Sequence, residues 1–176
     1  DNSQYSQWHA LYHPIFRDYV KQFGFYDLFI IDANSSNVIY SVYKEADFAT
    51  QLNRGEMQKT GLAKAFNKAV SISKRQAYLT DFAPYLPSYL DGAAFISTPI
   101  YRGDQLIAVL ALQMPIGKIN AVMTNDKNWL NVGMGKSGET YLVGPDKLLR
   151  TESRFLIEDK AGLVDVLKAN SPQVAD

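Results

Sequence analysis

Apolar side chains in the first part of the chain recur at helical spacing and form one broad stripe. Between residues 4 and 23 they are Tyr5, Trp8, Leu11, Tyr12, Ile15, Phe16, Tyr19, Val20 and Phe23. Spacings of three and four residues place them on one face, so the pattern predicts an amphipathic helix. Pro14 should kink or restart this helix, because proline lacks the N–H that an interior turn needs. Gly24 is expected to end it.

After residue 24 the apolar period changes to two, which is typical of β-strands. Strands are expected near 25–33, 38–44, 76–82, 93–101 and 105–114. The first two strands are joined by a polar turn, and the last two by Arg102-Gly103-Asp104, a hairpin signal. Further helices are expected near 61–73 and 117–124.

This order of elements predicts an α+β fold, with a long amino-terminal helix packed on a five-stranded antiparallel sheet. A polar linker that begins at residue 125 predicts a first domain over 1–124 and a second over 125–176. Residues 139–153 repeat the strand, turn, strand plan of residues 25–44. Few residues follow this second copy, so we expect 125–176 to be the incomplete start of a second module.

Composition excludes several classes of function. The chain has 18 basic and 18 acidic side chains, so no basic surplus favours nucleic acid or an anionic membrane surface. It has no cysteine, two histidines and no GxSxG motif, and we therefore predict no catalytic residue and no cofactor. His9 and His13 have a metal-binding spacing, but no third ligand is near in sequence, so no metal site is predicted. Glu45 and Asp47 are interpreted as members of an ordinary polar loop.

No run of apolar residues in the sequence is long enough to cross a bilayer. The chain begins with neither a basic leader nor an initiator Met. We therefore expect both ends to be boundaries within a longer protein, whose targeting and membrane segments lie outside this sequence.

Four segments in order carry a resemblance to a known family. The segments YDLFIIDANSSNVIYSVYKEADFATQL, YLTDFAPYLPS and AAFISTPIYRGDQLIAVLALQMP resemble the extracytoplasmic Cache domains, which have a PAS-like sheet behind a long amino-terminal helix. The segment GMGKSGETYLVGPDKLLRTESRF resembles the start of the membrane-proximal module in double Cache receptors. The resemblance covers nearly the whole chain.

The resemblance implies a periplasmic domain that binds a small molecule and signals through a transmembrane helix, above all in methyl-accepting chemotaxis receptors. Histidine kinases and cyclic-dinucleotide enzymes carry such domains too, and a non-sensory module that binds a protein partner is an alternative of another class. The aromatic stripe of the first helix is expected to be a homodimer contact, unless packing within the domain consumes it.

Strand periodicity indicates the side of the sheet on which a ligand would bind. One face of strand 105–114 is uniformly apolar and is expected to pack on the long helix; it consists of Leu106, Ala108, Leu110 and Leu112. On the other face the side chains become smaller toward Ala111, and the face ends in Gln113. Phe95 and Ser97 are expected to share that second face. Small residues leave volume and polar groups orient a ligand, so these four residues are predicted to line a cavity.

Two further groups complete the predicted ligand site. A second wall offers hydroxyl and aromatic side chains, unless it is only a surface loop; it consists of Tyr78, Thr80, Asp81, Phe82, Tyr85 and Ser88. Lys44, beside Tyr40, would supply a positive charge for an anionic ligand. A ligand is expected to close the loops 45–60 and 83–92 over the sheet and so bias the long helix.

The resemblance also bears on the class of ligand. In amino-acid-binding Cache receptors an Asp commonly occupies the position that matches Gln113 and holds the ligand's amino group. The neutral amide removes that counter-charge from a cationic amine. We therefore expect a carboxylate, an amino acid or another small solute, with carboxylates and neutral solutes favoured.

Overall fold

The structure is a computed structural model that describes residues 3–170. The chain divides into two compact units between Ile116 and Gly117. The sequence placed its domain boundary later, near residue 125.

The first helix, α1, spans Gln4–Phe23. It begins after Ser3, whose hydroxyl accepts a hydrogen bond from the Ser6 N–H, as N-cap residues do. The helix continues through Pro14 and is not interrupted there, although one main-chain hydrogen bond is lost. It ends at Gly24, as predicted, which adopts the left-handed conformation with φ 72°.

Six strands form one antiparallel sheet in the order β2–β1–β6–β5–β3, and β4 also pairs with β5. The strands are β1 Asp27–Asp32, β2 Val38–Ser41, β3 Tyr78–Leu79, β4 Ala83–Pro84, β5 Gly92–Arg102 and β6 Gln105–Pro115. The predicted α+β fold with a PAS-like sheet is confirmed. The sixth strand, β4, lies in a segment predicted as a loop, because two residues are too few to show a strand period.

Each face of the sheet packs against a different helix. On the side that faces α1, called the α1 face, residues of the helix contact the apolar face predicted for β6. The apolar cluster on this side includes Phe16, Val20, Leu28, Tyr40, Val42, Leu110 and Leu112. On the α2 face, helix α2, Gly61–Ala69, packs over a cluster that includes Phe29, Ile31, Leu62, Phe66, Phe95, Val109 and Ala111. A Cβ on Gly61 would lie 3.1 Å from the Phe95 ring, so glycine permits this close approach.

The unit that follows Ile116 is mainly helical. Helix α3, Ile116–Thr124, begins at the boundary, and α4, Arg154–Glu158, and α5, Lys160–Asn170, come later. The segment predicted to repeat the first hairpin forms a turn closed by one bridge, Val143 with Leu149. Within residues 117–170 there is no longer strand. No helix in the described part of the chain is long and apolar enough to span a bilayer.

Candidate functional site

A carboxylate and an amide lie side by side at one end of the α2 face. Asp27, at the start of β1, is the register partner of Gln113, near the end of β6. Strand alternation gives Asp27 the same face as Phe29 and Ile31, which belong to the apolar cluster. Asp27 and Gln113 are both buried. The core of this face therefore ends in polar groups.

Two more carboxylates reach this place from the loop that follows β2. The Tyr85 hydroxyl donates to Asp47 Oδ2 at 2.8 Å, and the Tyr26 hydroxyl donates to Glu45 Oε1 at 2.6 Å. The Tyr85 ring also packs edge-on against Phe95, with centroids 4.9 Å apart. Asp47 and Tyr85 are buried. Their hydrogen bond joins the two loops that were predicted to close over a ligand.

A serine links the amide to the rest of this set. Gln113 Nε2 donates to Ser88 Oγ at 2.9 Å, and Ser88 in turn hydrogen-bonds the Tyr26 hydroxyl. Asp27 Oδ1 accepts main-chain N–H groups of Leu28 at 2.6 Å and Val42 at 2.8 Å. The resulting polar cluster consists of Tyr26, Asp27, Glu45, Asp47, Tyr85, Ser88 and Gln113.

Four buried oxygens of the polar cluster have no hydrogen-bond partner among the described residues. They are Asp27 Oδ2, Glu45 Oε2, Asp47 Oδ1 and Gln113 Oε1. Buried polar atoms are nearly always paired in folded proteins, and an unpaired one costs free energy. Every one of the four is a hydrogen-bond acceptor. The cluster can therefore accept further hydrogen bonds from a bound molecule.

Burial also changes the acidity of the cluster. Desolvation, with a smaller contribution from the Asp47 charge, raises the pKa of Asp27 to about 7. Burial raises the pKa of Asp47, and burial followed by the Asp47 charge raises the pKa of Tyr85. The hydrogen bond to Glu45 is the largest cause that raises the pKa of Tyr26 to about 12. Negative charge is thus costly here without a cationic partner.

A cleft of about 640 Å³ opens beside the polar cluster. Its walls come from the loop after β2 and from the segment between β4 and β5; they include Glu45, Met57, Thr60, Pro84, Leu86 and Leu90. Glu45 belongs to both the cleft and the polar cluster. Apolar walls with few polar groups are typical of small-molecule sites.

The structure brings three predicted site residues together in the polar cluster, Tyr85, Ser88 and Gln113, and the ring of a fourth, Phe95, packs against Tyr85. Ser97 shares their face of the sheet but lies under α2, where its hydroxyl donates to the Ala65 carbonyl at 2.9 Å. Phe95 and Ser97 are packed in the core, so they do not line the open cleft. The reason is that α2 covers this part of the face.

Tyr40 and Lys44 lie elsewhere. Tyr40 pairs with Ile30 and belongs to the α1 face, where its hydroxyl is 2.9 Å from His13 Nδ1. Lys44 Nζ donates to the Ser41 carbonyl at 2.9 Å and lies over the Tyr40 ring. The His13 ring stacks on His9 at 4.4 Å. No group of three possible metal-ligating side chains occurs within residues 3–170.

The remaining predicted residues follow β3. Tyr78 is half-buried and pairs with Ser97 across the sheet. Asp81 is exposed and accepts the N–H of Phe82 at 2.7 Å, and Phe82 is half-buried. These residues border the covered part of the α2 face rather than the cleft walls given above.

Sequence reasoning missed the acidic part of the cluster. Asp27 carried a usable signal, because strand alternation already placed this carboxylate on the inward face with Phe29 and Ile31. Glu45 and Asp47 carried none, because their hydrogen-bond partners Tyr26 and Tyr85 are distant in sequence. Only the tertiary structure therefore distinguishes these carboxylates from those of an ordinary polar loop.

No model of a known protein family matches the sequence, and no curated protein matches it. Solved structures of similar fold do exist. The ligand-binding domain of the Campylobacter jejuni chemoreceptor Tlp3, in complex with 4-methylisoleucine, matches with a TM-score of 0.56 at 14% identity, over 84% of this chain and 52% of that chain.

Two further solved structures have the same fold. The sensor domain of the V. cholerae histidine kinase DctB has a TM-score of 0.53 at 15% identity, over 71% of this chain and 43% of that one. The ligand-binding domain of the Pseudomonas fluorescens chemoreceptor CtaA, in complex with L-serine, has a TM-score of 0.51 at 17% identity, over 86% of this chain and 56% of that one. This chain thus spans about half the length of these domains. These neighbours are Cache-type sensor domains, not enzymes, and they confirm the resemblance in fold.

Proposed function

We propose that this chain is the ligand-sensing part of an extracytoplasmic bacterial receptor domain, and that it detects a small molecule at the polar cluster. The observation that carries the proposal is the set of four unpartnered buried acceptors beside a cleft of about 640 Å³. A purely structural core has no need of such atoms, whereas a binding site requires a few convergent polar groups. The similarity in fold to ligand-binding sensor domains supports the same function.

The receptor is a methyl-accepting chemotaxis protein in this proposal, located in the periplasm and anchored by segments outside this sequence. Similarity to the sensor domains of Tlp3 and CtaA supports this class. The similarity to DctB makes a histidine kinase the competing class. In the intact receptor, ligand should change the swimming bias of the cell; a change only in phosphorylation of a linked kinase domain would contradict the chemotaxis assignment.

Signalling follows from contacts that ligand changes at the polar cluster. The hydrogen bond between Tyr85 and Asp47 ties together the two loops that flank the cleft. A ligand that bonds to Asp47 alters this tie and favours one loop arrangement. Asp27 is three residues beyond Gly24, which ends α1. Ligand binding at the polar cluster would therefore act close to the end of this helix. The response is a shift between two populations of the domain.

The receptor acts as a homodimer through α1 in this proposal. The helix carries large apolar side chains that remain exposed; they are Tyr5, Trp8, Leu11, Tyr12, Ile15, Tyr19 and Phe23. A second copy of the same helix would cover them with matching apolar surface. Trp8→Glu with Ile15→Glu should turn dimer into monomer in sedimentation velocity, whereas Lys21→Glu should not. A wild-type chain that is monomeric at every accessible concentration would refute this contact.

A thermal-shift screen of the 176-residue chain tests the sensing proposal. The solutes are carboxylates, amino acids, amines and nucleobases, and at least one class should raise the melting temperature with increasing concentration. Gln113→Met should abolish the effect, whereas Gln105→Met should keep it, because Gln105 is exposed at the other end of β6. If no solute stabilises the chain, the proposal of a ligand-sensing domain is wrong.

A further inference from the structure

We infer that the ligand of the polar cluster is an organic ammonium ion, whose N–H groups donate to the unpartnered carboxylate and amide oxygens. This inference rests on the proposed sensing function and names its ligand class. The balance of donors and acceptors in the cluster favours such a ligand. The hydroxyl groups of Tyr26 and Tyr85 and the amide N–H of Gln113 already donate within the cluster. The four atoms of the cluster that have no partner among the described residues are all acceptor oxygens.

The charges of the cluster favour the same class of ligand. Asp27, Glu45 and Asp47 bond to hydroxyl groups and main-chain N–H groups, and the hydrogen bonds of the described residues give none of them a basic partner. Buried carboxylates in proteins are normally paired with a cation or neutralised. A carboxylate ligand would bring a fourth like charge to this place, whereas an ammonium ion supplies the missing one.

The nearby lysines have other partners. Lys44 Nζ donates to a main-chain carbonyl and lies over the rings of Tyr40 and Phe48. Lys59 lines the cleft, but its ammonium group is 3.1 Å from Glu56. Neither lysine forms a hydrogen bond with the polar cluster. Lys44 attracts Asp27 by its charge but forms no hydrogen bond with it, so a cationic ligand would supply the direct contact that these lysines do not make.

This ligand class differs from the one that the sequence favoured. A neutral Gln113 suggested that an amine would find no counter-charge. The strand pairing supplies one, because Asp27 is the register partner of Gln113 on the neighbouring strand. Gln113 Oε1 then adds an acceptor beside that carboxylate. An amine thus meets an acidic group at the same end of the sheet, provided by β1 instead of β6.

The cleft gives the shape of the rest of the ligand. Beyond Glu45 its walls are largely apolar, with Met57, Pro84, Leu86 and Leu90 among them. A compact hydrocarbon portion attached to the ammonium group would bury apolar surface there. A primary amine with a short branched alkyl body fits both regions, because its three N–H groups can serve several acceptors at once.

Three probes with one alkyl body and different head groups test the inference: 3-methylbutylammonium, 3-methylbutanol and 3-methylbutanoate. Binding to the 176-residue chain is measured by isothermal titration calorimetry at about pH 8, above the ordinary range of carboxyl pKa values. The ammonium probe should bind at least about ten-fold more tightly than the alcohol, and the carboxylate should not bind, because charge-assisted hydrogen bonds form only with the cation.

Variants place the binding event in the polar cluster. Asp47→Asn should weaken the ammonium probe at least about ten-fold, since it removes one of the charges that the cation meets. Asp104→Asn is the matched control, because Asp104 is exposed in the turn between β5 and β6 and pairs with Lys74. If Asp47→Asn does not fold, as judged by circular dichroism, Asp27→Asn replaces it.

Each outcome decides between the two proposals. Binding of 3-methylbutanoate without binding of the ammonium probe would overturn the ammonium inference and leave the sensing function standing. Ammonium binding that neither Asp27→Asn nor Asp47→Asn weakens would place the cation elsewhere and overturn the inference as well. A chain that binds neither these probes nor any solute of the thermal-shift screen would refute both proposals.

Discussion

The α2 face of the sheet has two ends, and their buried polar groups are satisfied to different degrees. At the covered end, Ser97 lies under α2 and its hydroxyl donates to the Ala65 carbonyl at 2.9 Å. At the open end, Gln113 donates to Ser88, but its own carbonyl oxygen has no partner among the described residues. Ser97 and Gln113 are both buried. Burial therefore does not distinguish the two ends.

The element that covers each end explains the difference. Helix α2 uses its own N–H groups internally and offers a carbonyl to Ser97, so one donor meets one acceptor. The loops at the open end offer the carboxylates of Glu45 and Asp47, which bring more acceptors than the nearby hydroxyl groups can satisfy. The open end therefore differs from the covered end by a surplus of hydrogen-bond acceptors and not by depth, which supports the proposal that a ligand binds there.

The largest expected effect is the loss of stability when packing at the covered end is disrupted. Phe95→Ala removes a fully buried ring that contacts Phe29 and Tyr85, and the cavity left behind should lower the free energy of unfolding by about 3–5 kcal/mol. Urea denaturation of the 176-residue chain measures it. Leu79→Ala, on the exposed side of β3, should cost far less. A small loss for Phe95→Ala would show that the covered end is not a packed core.

The next effect concerns the buried carboxylate of the open end. Asp27 has a pKa of about 7 in the folded chain and an ordinary value near 3.8 when unfolded. The folded state holds the proton more tightly, so the contribution of Asp27 to stability is full below about pH 4 and falls by about 4 kcal/mol as the pH rises to about 7.

Asp27→Asn should remove much of this fall, which urea denaturation at several pH values measures. The groups that interact with Asp27 include Asp47, Tyr26, Tyr40, Tyr85 and Lys44. Asp47 contributes a fall of the same sign because burial raises its pKa too. Asp104→Asn should leave the pH dependence unchanged. A wild-type stability that rises between pH 4 and pH 7 would contradict a buried Asp27 without a cation.

A smaller effect tests the tie between the two loops. Tyr85→Phe removes the hydroxyl that donates to Asp47 Oδ2, and among residues 3–170 neither oxygen of this buried carboxylate then has a side-chain partner. The free energy of unfolding should fall by about 1–3 kcal/mol. Tyr89→Phe is the matched control, because Tyr89 is 90% exposed. In the Asp47→Asn background, Tyr85→Phe should lower the free energy of unfolding by less than it does in the wild-type chain. An equal loss in both backgrounds would show that the Tyr85 hydroxyl acts through a group other than Asp47.

Much of the fold could be predicted from the sequence because its signals are local. The helical stripe of α1, the glycine that ends it and the alternation along β5 and β6 all act within a few residues. Alternation also placed Leu110 and Leu112 on the side of α1, and Ala111 on the other side. The strand expected over 76–82 is observed as the shorter β3, whereas the two-residue β4 was not expected, because it is too short to carry a period and only its pairing with β5 defines it.

The site was predicted only in part, because it depends on contacts between distant segments. Gln113, Ser88 and Tyr85 were correctly expected to lie near one another, although what they bind stays a prediction. Tyr40 was expected beside them, but a register shift between Ile30 and Ile31 in the β1–β2 pairing accompanies its placement on the α1 face. No periodicity in a single sequence reveals such a shift.

The smallest effects compare one serine from each end. Ser97→Ala leaves the Ala65 carbonyl without its hydroxyl donor and should cost about 1 kcal/mol in urea denaturation, with no change in binding of 3-methylbutylammonium. Ser88→Ala should cost a similar amount, but it also frees the Gln113 amide to rotate and so weakens binding of the same probe. Titration calorimetry on both variants separates the two roles. If the two serines affect binding equally, the two ends of the α2 face do not differ in the way their hydrogen bonds indicate.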